Sequence, residues 1–299
     1  MRDVPIFGRV LTAMVSPFTA DGALDLDGAQ RLAAHLVDHG SDGIVVAGST
    51  GESPTLTHDE TLDLVRAVKE AVGDRAKVVV GTGKNDTAAT VAMSREVAGI
   101  GVDGLLLVSP YYNRPSQRGM LAHFGAVADA VGGLPVLLYD IPSRTGCEIA
   151  KETMATLAER HANVVGVKDA AGDFPKSAWL VSRTPEHFEL YAGDDVATLP
   201  LLAVGGVGVI SVAAHLVGDD LAAMVDAFPT DPGKAREIHF KLLPLFSTLF
   251  CDVNPVPLKA ALRLVGLPGG PLRLPLAEPD DQTVQRVREA LAAVGVLSA

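Results

Sequence analysis

Short apolar runs punctuate the chain at intervals of roughly 20–35 residues, the size of one strand-plus-helix unit. They fall at 10–16, 43–48, 78–81, 104–109, 136–139, 164–168, 188–192 and 207–211. Each run is nearly continuous rather than alternating, the pattern of a strand covered on both faces. Between the runs lie amphipathic segments. Leu62-Asp63-Leu64-Val65-Arg66-Ala67-Val68-Lys69 is representative, and Thr57-His58-Asp59-Glu60 just before it carries helix-start signals. Eight strands alternating with helices predict an α/β chain folded as a (β/α)8 TIM barrel. A doubly wound sheet is the alternative, but it calls for fewer strands and a glycine fingerprint for phosphate.

From about residue 231 the pattern is helical only. Segments 234–250, 255–265 and 281–294 predict three helices, with Pro255 and Pro257 placed at a helix start. The expected organisation is a catalytic barrel over 1–230 and a C-terminal helical extension over 231–299. Segment 196–217 holds no Asp, Glu, Lys or Arg and is long enough to span a bilayer. Gly205, Gly206 and Gly208 interrupt it, so it reads as a helix, a turn and a buried strand.

Composition narrows the function. The chain has 299 residues, 48% of them hydrophobic and 20% charged, which is globular rather than disordered. Its net charge of −11, with basic residues in no stripe, argues against nucleic acid as a partner. Cys147 and Cys251 are the only cysteines, which suits a reducing compartment. Met1-Arg2-Asp3-Val4-Pro5 lacks the apolar core of a signal peptide, and a cytoplasmic location without a membrane partner is the expectation.

In a barrel of this kind, reactive groups collect at the C-terminal ends of the strands. Those ends read Ser16-Pro17, Ser49-Thr50, Thr82, Ser109-Pro110-Tyr111-Tyr112, Tyr139, Lys168, Asp194 and Ser211. Hydroxyls dominate, metal ligands do not cluster, and Lys168 is the single amine. Burying a lysine shifts its pKa by up to roughly 3–5 units, at about 1.36 kcal/mol each. Two readings of Lys168 therefore stand: a nucleophile that forms a Schiff base with a carbonyl, or a lysine that snorkels out at a strand end. The other lysines are Lys69, Lys77, Lys84, Lys151, Lys176, Lys234, Lys241 and Lys259. Most fall in charge-rich helical or turn segments, and none ends a comparable strand.

Alternation along the strand points Lys168 and Asp169 apart, so Asp169 is not expected to pair with the amine. Tyr139 ends the preceding strand and reads as a proton-passing phenol or as a core aromatic. Gly48-Ser49-Thr50-Gly51-Glu52-Ser53 lacks the ending of a nucleotide loop and reads as a carboxylate nest or a plain turn. Arg144 reads as a carboxylate clamp or a solvated loop residue. His35 and His39 lie four apart without the glutamate of a zinc-protease motif and read as a solvated helix face.

Six stretches, in order over nearly the whole chain, resemble the dihydrodipicolinate synthase/N-acetylneuraminate lyase family of class I aldolases. They are Gly48-Ser49-Thr50-Gly51-Glu52-Ser53, Ser109-Pro110-Tyr111-Tyr112-Asn113, Tyr139-Asp140-Ile141-Pro142-Ser143-Arg144-Thr145-Gly146, Gly166-Val167-Lys168-Asp169-Ala170, Ala192-Gly193-Asp194-Asp195 and Gly208-Val209-Ile210-Ser211. The resemblance implies that Lys168 forms an imine with pyruvate, with no metal or organic cofactor. It implies that Ser49 and Thr50, with their backbone N–H groups, hold the pyruvate carboxylate, that Tyr139 is the proton donor and acceptor, and that Thr50 links Tyr139 to Tyr112 in a relay. Gly193 and Ile210 are expected to line the pyruvate pocket through backbone groups. Tyr112 is expected to reach in from a neighbouring subunit of a homodimer or homotetramer.

Arg144 separates the subfamilies. Members that carry an arginine here use it on the carboxylate of L-aspartate-4-semialdehyde, whereas sugar-acid lyases usually lack it. The expected reaction is condensation of pyruvate with that aldehyde to 4-hydroxy-tetrahydrodipicolinate, for lysine and diaminopimelate synthesis. A lyase or aldolase acting on a 2-keto sugar acid and a non-catalytic ligand-binding barrel are the alternatives. Asp140 stands where many members carry Asn and is expected to face away. Ser53, His58, Asn85 and Tyr111 match a lysine effector site, but Thr61 and Ala89 replace its His and Glu. Weak or absent inhibition by lysine is therefore expected.

Overall fold

A computed structural model describes residues 4–297. Residues 1–3, read above for the lack of a signal peptide, and the last two residues of the extension lie outside them. Among the described residues, eight strands close a parallel barrel in chain order: β1 (Val10–Ala13), β2 (Gly43–Val46), β3 (Lys77–Gly81), β4 (Gly104–Val108), β5 (Val136–Asp140), β6 (Val164–Asp169), β7 (Glu189–Ala192) and β8 (Gly208–Ser211). The helices between and after them are α1 (Leu26–Asp38), α2 (His58–Val72), α3 (Thr87–Gly99), α4 (Gln117–Ala130), the four-residue α5 (Pro142–Thr145), α6 (Lys151–Arg160), α7 (Phe174–Arg183), α8 (Thr198–Ala203) and α9 (Ala214–Ala227). Then come α10 (Pro232–Thr248), α11 (Val256–Val265) and α12 (Asp281–Ala293).

Every apolar run contains a strand. Run 43–48 ends early, at Val46, because Ala47 turns into the left-handed region (φ 55°). Segment 196–217 resolves into α8, a glycine turn and β8, followed by the start of α9. No helix among the described residues is long and apolar enough to cross a membrane.

Close packing divides the chain into two units. One comprises the N-terminal segment to Arg9 together with Val79–Ile210. Its strands are buried except at the half-buried Gly81 and Val108, with Leu105, Leu137, Leu138, Val167 and Leu190 in the core. The Glu189 carboxylate accepts from the Ile6 amide (2.9 Å) and from the Tyr191 hydroxyl (3.0 Å), which satisfies a charge that burial would otherwise penalise.

The other unit comprises Val10–Val78 and Ser211–Ala299. Helix α2 starts on a complete capping box: the Glu60 amide donates to Thr57, and the Glu60 carboxylate accepts from the Thr57 amide. In the same unit His215 of α9 is fully buried. Its Nδ1–H donates to Val212 O (2.9 Å), and Nε2 accepts from the Val15 amide (3.2 Å). Burial holds this imidazole down at about 4, so it is neutral in the folded protein.

Candidate active site

Register places the reactive groups of the first unit. Tyr139 of β5 is the Cα partner of Lys168 of β6, and Lys168 in turn partners Tyr191 of β7. Partners across parallel strands share a face, so these three lie together and Asp140 and Asp169 lie on the opposite face. The Lys168 Nζ stands 4.5 Å from the centre of the Tyr139 ring. Lys168 is 4% exposed, and among the described residues it makes no ion pair. That arrangement excludes the snorkelling alternative and leaves an amine presented to the barrel side of the sheet.

The opposite face is anchored by consecutive residues of α7. Asp173 caps this helix by accepting from the Lys176 amide (3.0 Å). Lys176 Nζ then pairs with Asp140 Oδ2 (2.7 Å), and Ser177 Oγ donates to Asp169 Oδ2 (2.6 Å). Asp140 also accepts from the Ile149 amide (2.9 Å), and Asp169 from Ala171 (2.9 Å). The residue after Tyr139 and the residue after Lys168 are thus tied to one helical turn. Desolvation pushes the Asp140 carboxyl up, against the pull of Lys176. Asp140 does face away, as expected, and Asp169 is engaged elsewhere than at the amine.

Past β7, the Gly193 amide donates to Asp169 O (2.7 Å). A Cβ at Gly193 would come within 2.8 Å of the Ala170 methyl, so only glycine permits this approach. Burial raises the Asp194 carboxyl, with Lys168 pulling the other way. Ile210 is fully buried in β8, and Arg144 is exposed on α5. Tyr112 is 89% exposed with φ 70°. Among the described residues, the four non-glycine residues with left-handed backbone, Ala47, Glu52, Tyr112 and Arg114, lie in or beside the predicted Ser49-Thr50 and Tyr111-Tyr112 segments. Such conformations cost about 1–3 kcal/mol each and persist where surrounding contacts hold them.

In the second unit, the turn after β2 carries Ser49, half-buried, and Thr50, buried. Thr50 Oγ1 accepts from Asn254 Nδ2 (2.9 Å). Two residues on, Glu52 is buried and its Oε1 meets Lys259 Nζ of α11 at 2.6 Å, while Oε2 accepts from the Arg273 amide (3.0 Å). Lys259 also donates to Ser16 O and Pro271 O (2.9 Å each). Lys259 and Arg273 both lie over the Phe18 ring, at 4.2 and 4.1 Å. Arg273 further binds both carboxylate oxygens of Glu60, which holds that carboxyl at about 2.

Two lysines correct the sequence reading. Lys176 (6% exposed) and Lys259 (1%) are as buried as Lys168, although neither ends a strand. Burial pushes the Lys259 ammonium down while Glu52 pulls it up. The missed signal for Lys259 is its setting: Val256–Val265 is otherwise almost wholly apolar, so a lysine within it had to be enclosed. Asn254 and Arg273 were also missed as parts of the Ser49-Thr50 surroundings.

The proposed effector positions divide between the units. Ser53 opens a short 3-10 turn and His58 is exposed at the start of α2, both in the second unit. Asn85 and Tyr111 belong to the first, where Asn85 O accepts from Asn113. Thr61 spends its hydroxyl on Thr57 O (2.9 Å), and Ala89 offers only a methyl. His39, at the C-terminal cap of α1, is exposed, in keeping with a solvated face; its Nδ1 meets Asp219 (2.9 Å) and its ring lies 4.3 Å from that of His35. Cys147 and Cys251 are free thiols.

Comparison with known proteins agrees with this geometry. The model of the dihydrodipicolinate synthetase family matches residues 6–294. The chain is similar to the 4-hydroxy-tetrahydrodipicolinate synthase of Moorella thermoacetica, at 56% identity over 97% of this chain and 99% of that one. It is similar to the enzyme of the same name from Acidothermus cellulolyticus, at 55% identity over 99% and 94%. Among solved structures, DHDPS from Cyanidioschyzon merolae with lysine bound superposes with a TM-score of 0.97 at 46% identity, covering 98% of this chain and 100% of that one. The chain belongs to the dihydrodipicolinate synthetase family.

Proposed function

We propose that this chain is a class I aldolase-type lyase that condenses pyruvate with L-aspartate-4-semialdehyde to 4-hydroxy-tetrahydrodipicolinate, for lysine and diaminopimelate synthesis. The observation that carries this reading is the Lys168 amine: buried, without an ion-pair partner among the described residues and 4.5 Å from the Tyr139 ring. Lys168 Nζ attacks the keto carbon of pyruvate and water leaves, forming the imine. Tyr139 moves the proton, first to the departing oxygen and then from the methyl carbon. The resulting enamine attacks the aldehyde. The amino group of the second substrate then displaces Lys168, closing the ring and freeing the amine. No metal or organic cofactor is needed for this sequence.

In the same reading Ser49 and Thr50, with their backbone N–H groups, hold the pyruvate carboxylate, Gly193 and Ile210 line its pocket, and Thr50 passes the proton on to Tyr112 through its hydroxyl. The exposure of Tyr112, in a strained conformation, supports donation of this phenol to a neighbouring subunit of a homodimer or homotetramer. Arg144 binds the carboxylate of the aldehyde. We assign the barrel to residues 1–230 and the helical extension to 231–299, and place the protein in the cytoplasm. Ser53, His58, Asn85 and Tyr111 are remnants of an effector site. The Thr57-bound hydroxyl of Thr61 and the methyl of Ala89 support weak or absent inhibition by lysine.

Coupled turnover on a substrate panel tests the choice of aldehyde. Turnover with L-aspartate-4-semialdehyde and none with 2-keto sugar acids is expected. Arg144→Ala should keep adduct formation with pyruvate and lose at least about 10²-fold in turnover, the scale of a lost charged orienting contact. Equal loss of both would make Arg144 a structural residue.

A further inference from the structure

The C-terminal helices reach the turn after β2 at two points, and one of them meets a hydroxyl assigned to proton transfer. A threonine hydroxyl has one hydrogen to donate and two acceptor sites. Asn254 Nδ2–H fills one acceptor site of Thr50 Oγ1 at 2.9 Å, with both side chains buried. Thr50 is left with one acceptor site and one hydrogen. That is the complement a relay requires, since the hydroxyl must accept from one phenol and donate to the next. An acceptor in place of Asn254 Nδ2 would consume the only hydrogen and close the relay.

The position of Asn254 is set by the same scaffold. Asn254 lies two residues before α11, next to its cap residue Pro255, and Lys259 of that helix grips Glu52, two residues beyond Thr50. Glu52 is held in a left-handed conformation (φ 52°) and is fixed a second time by the Arg273 amide. The C-terminal segment and the turn are therefore clamped together at Glu52, on one side of the Asn254–Thr50 bond.

We propose that Asn254 is a positioning residue for the reaction. It holds the Thr50 hydroxyl in the orientation that lets it accept one proton and pass on another. The proposal rests on the relay role assigned to Thr50. It predicts a defect in turnover rather than in pyruvate capture, because Asn254 is bonded to the Thr50 hydroxyl and not to the Lys168 amine or to the Ser49 and Thr50 backbone N–H groups assigned to the carboxylate.

Asn254→Asp keeps the size and shape of the side chain but replaces the N–H donor by an acceptor. The expected result is a fall in kcat of about 10²-fold, the low end of general acid–base contributions. KM for pyruvate should stay within about threefold, and borohydride trapping of the pyruvate adduct should match that of the unaltered protein. A kcat within about threefold of the unaltered value overturns the proposal, as does parallel loss of turnover and adduct formation. Should Asn254→Asp fail to fold, the cycle of Asn254→Ala, Thr50→Val and the double variant decides. If the two residues act as one unit, Asn254→Ala loses its effect once Thr50→Val is present, whereas additive effects overturn the proposal. Thr50→Val alone separates the two levels of the argument. If it leaves kcat unchanged, the relay reading itself fails. If it lowers kcat and Asn254→Asp does not, only the role of Asn254 falls.

Discussion

Lys168 and Lys259 are buried to nearly the same degree, yet their surroundings are opposite. Lys259 is enclosed by an ion pair to Glu52, two carbonyl oxygens and the face of Phe18. Lys168 has the Tyr139 ring for a neighbour and no carboxylate within ion-pair distance among the described residues. The first environment consumes all three hydrogens of the ammonium and fixes it as a structural cation. The second leaves the nitrogen without an ion pair among the described residues, as the proposed attack on a carbonyl carbon requires. Burial alone therefore does not distinguish the proposed nucleophile; the absence of a partner does. Lys176, paired with Asp140 at 2.7 Å, belongs with Lys259.

The contrast has a measurable consequence in stability. Lys259→Met leaves the Glu52 carboxylate buried without its cation, and loss of one partner of a buried pair costs about 3–5 kcal/mol. Urea unfolding of this variant should show a loss of that size. Lys176→Met should cost less, about 1–3 kcal/mol, because desolvation already raises the Asp140 carboxyl and eases its protonation. Lys168→Met should be neutral or stabilising while abolishing turnover, the mark of a residue kept for chemistry. A loss of several kcal/mol on Lys168→Met would erase the distinction.

A smaller effect depends on pH. His215, in the second unit, is neutral in the fold with a pKa of about 4 against 6.5 in the unfolded chain. Below pH 6.5 the unfolded state binds the proton and the folded state does not. Stability should therefore fall from about pH 6.5 toward pH 4, by at most roughly 3 kcal/mol from this group. His215→Gln should flatten that slope in a series of thermal melts. An unchanged slope would show that His215 is not the group responsible.

Much of this was legible in the sequence because it is periodic and local. The apolar runs became strands, the segments after residue 231 became helices, and strand alternation already separated Lys168 from Asp169. Tyr139 could be placed beside Lys168 because consecutive strands of a parallel barrel are neighbours. The supports were not legible, because they join distant positions through single side chains. Asn254 meets Thr50 across 204 residues, and Arg273 meets Glu60 across 213. No periodicity encodes such pairs. The capping role of Glu60 could be read, but its second bond to Arg273 could not. Lys176 sits in an ordinary first helical turn, and its burial follows only from the outward face of β5.

The central claim is that Lys168, alone among the buried lysines, is chemically available. Borohydride reduction in the presence of pyruvate, followed by peptide mapping, tests it directly. The account predicts a single adduct on the peptide containing Lys168, lost in Lys168→Met and absent from the peptides of Lys176 and Lys259. No adduct, or one that maps to Lys176 or Lys259, would contradict it.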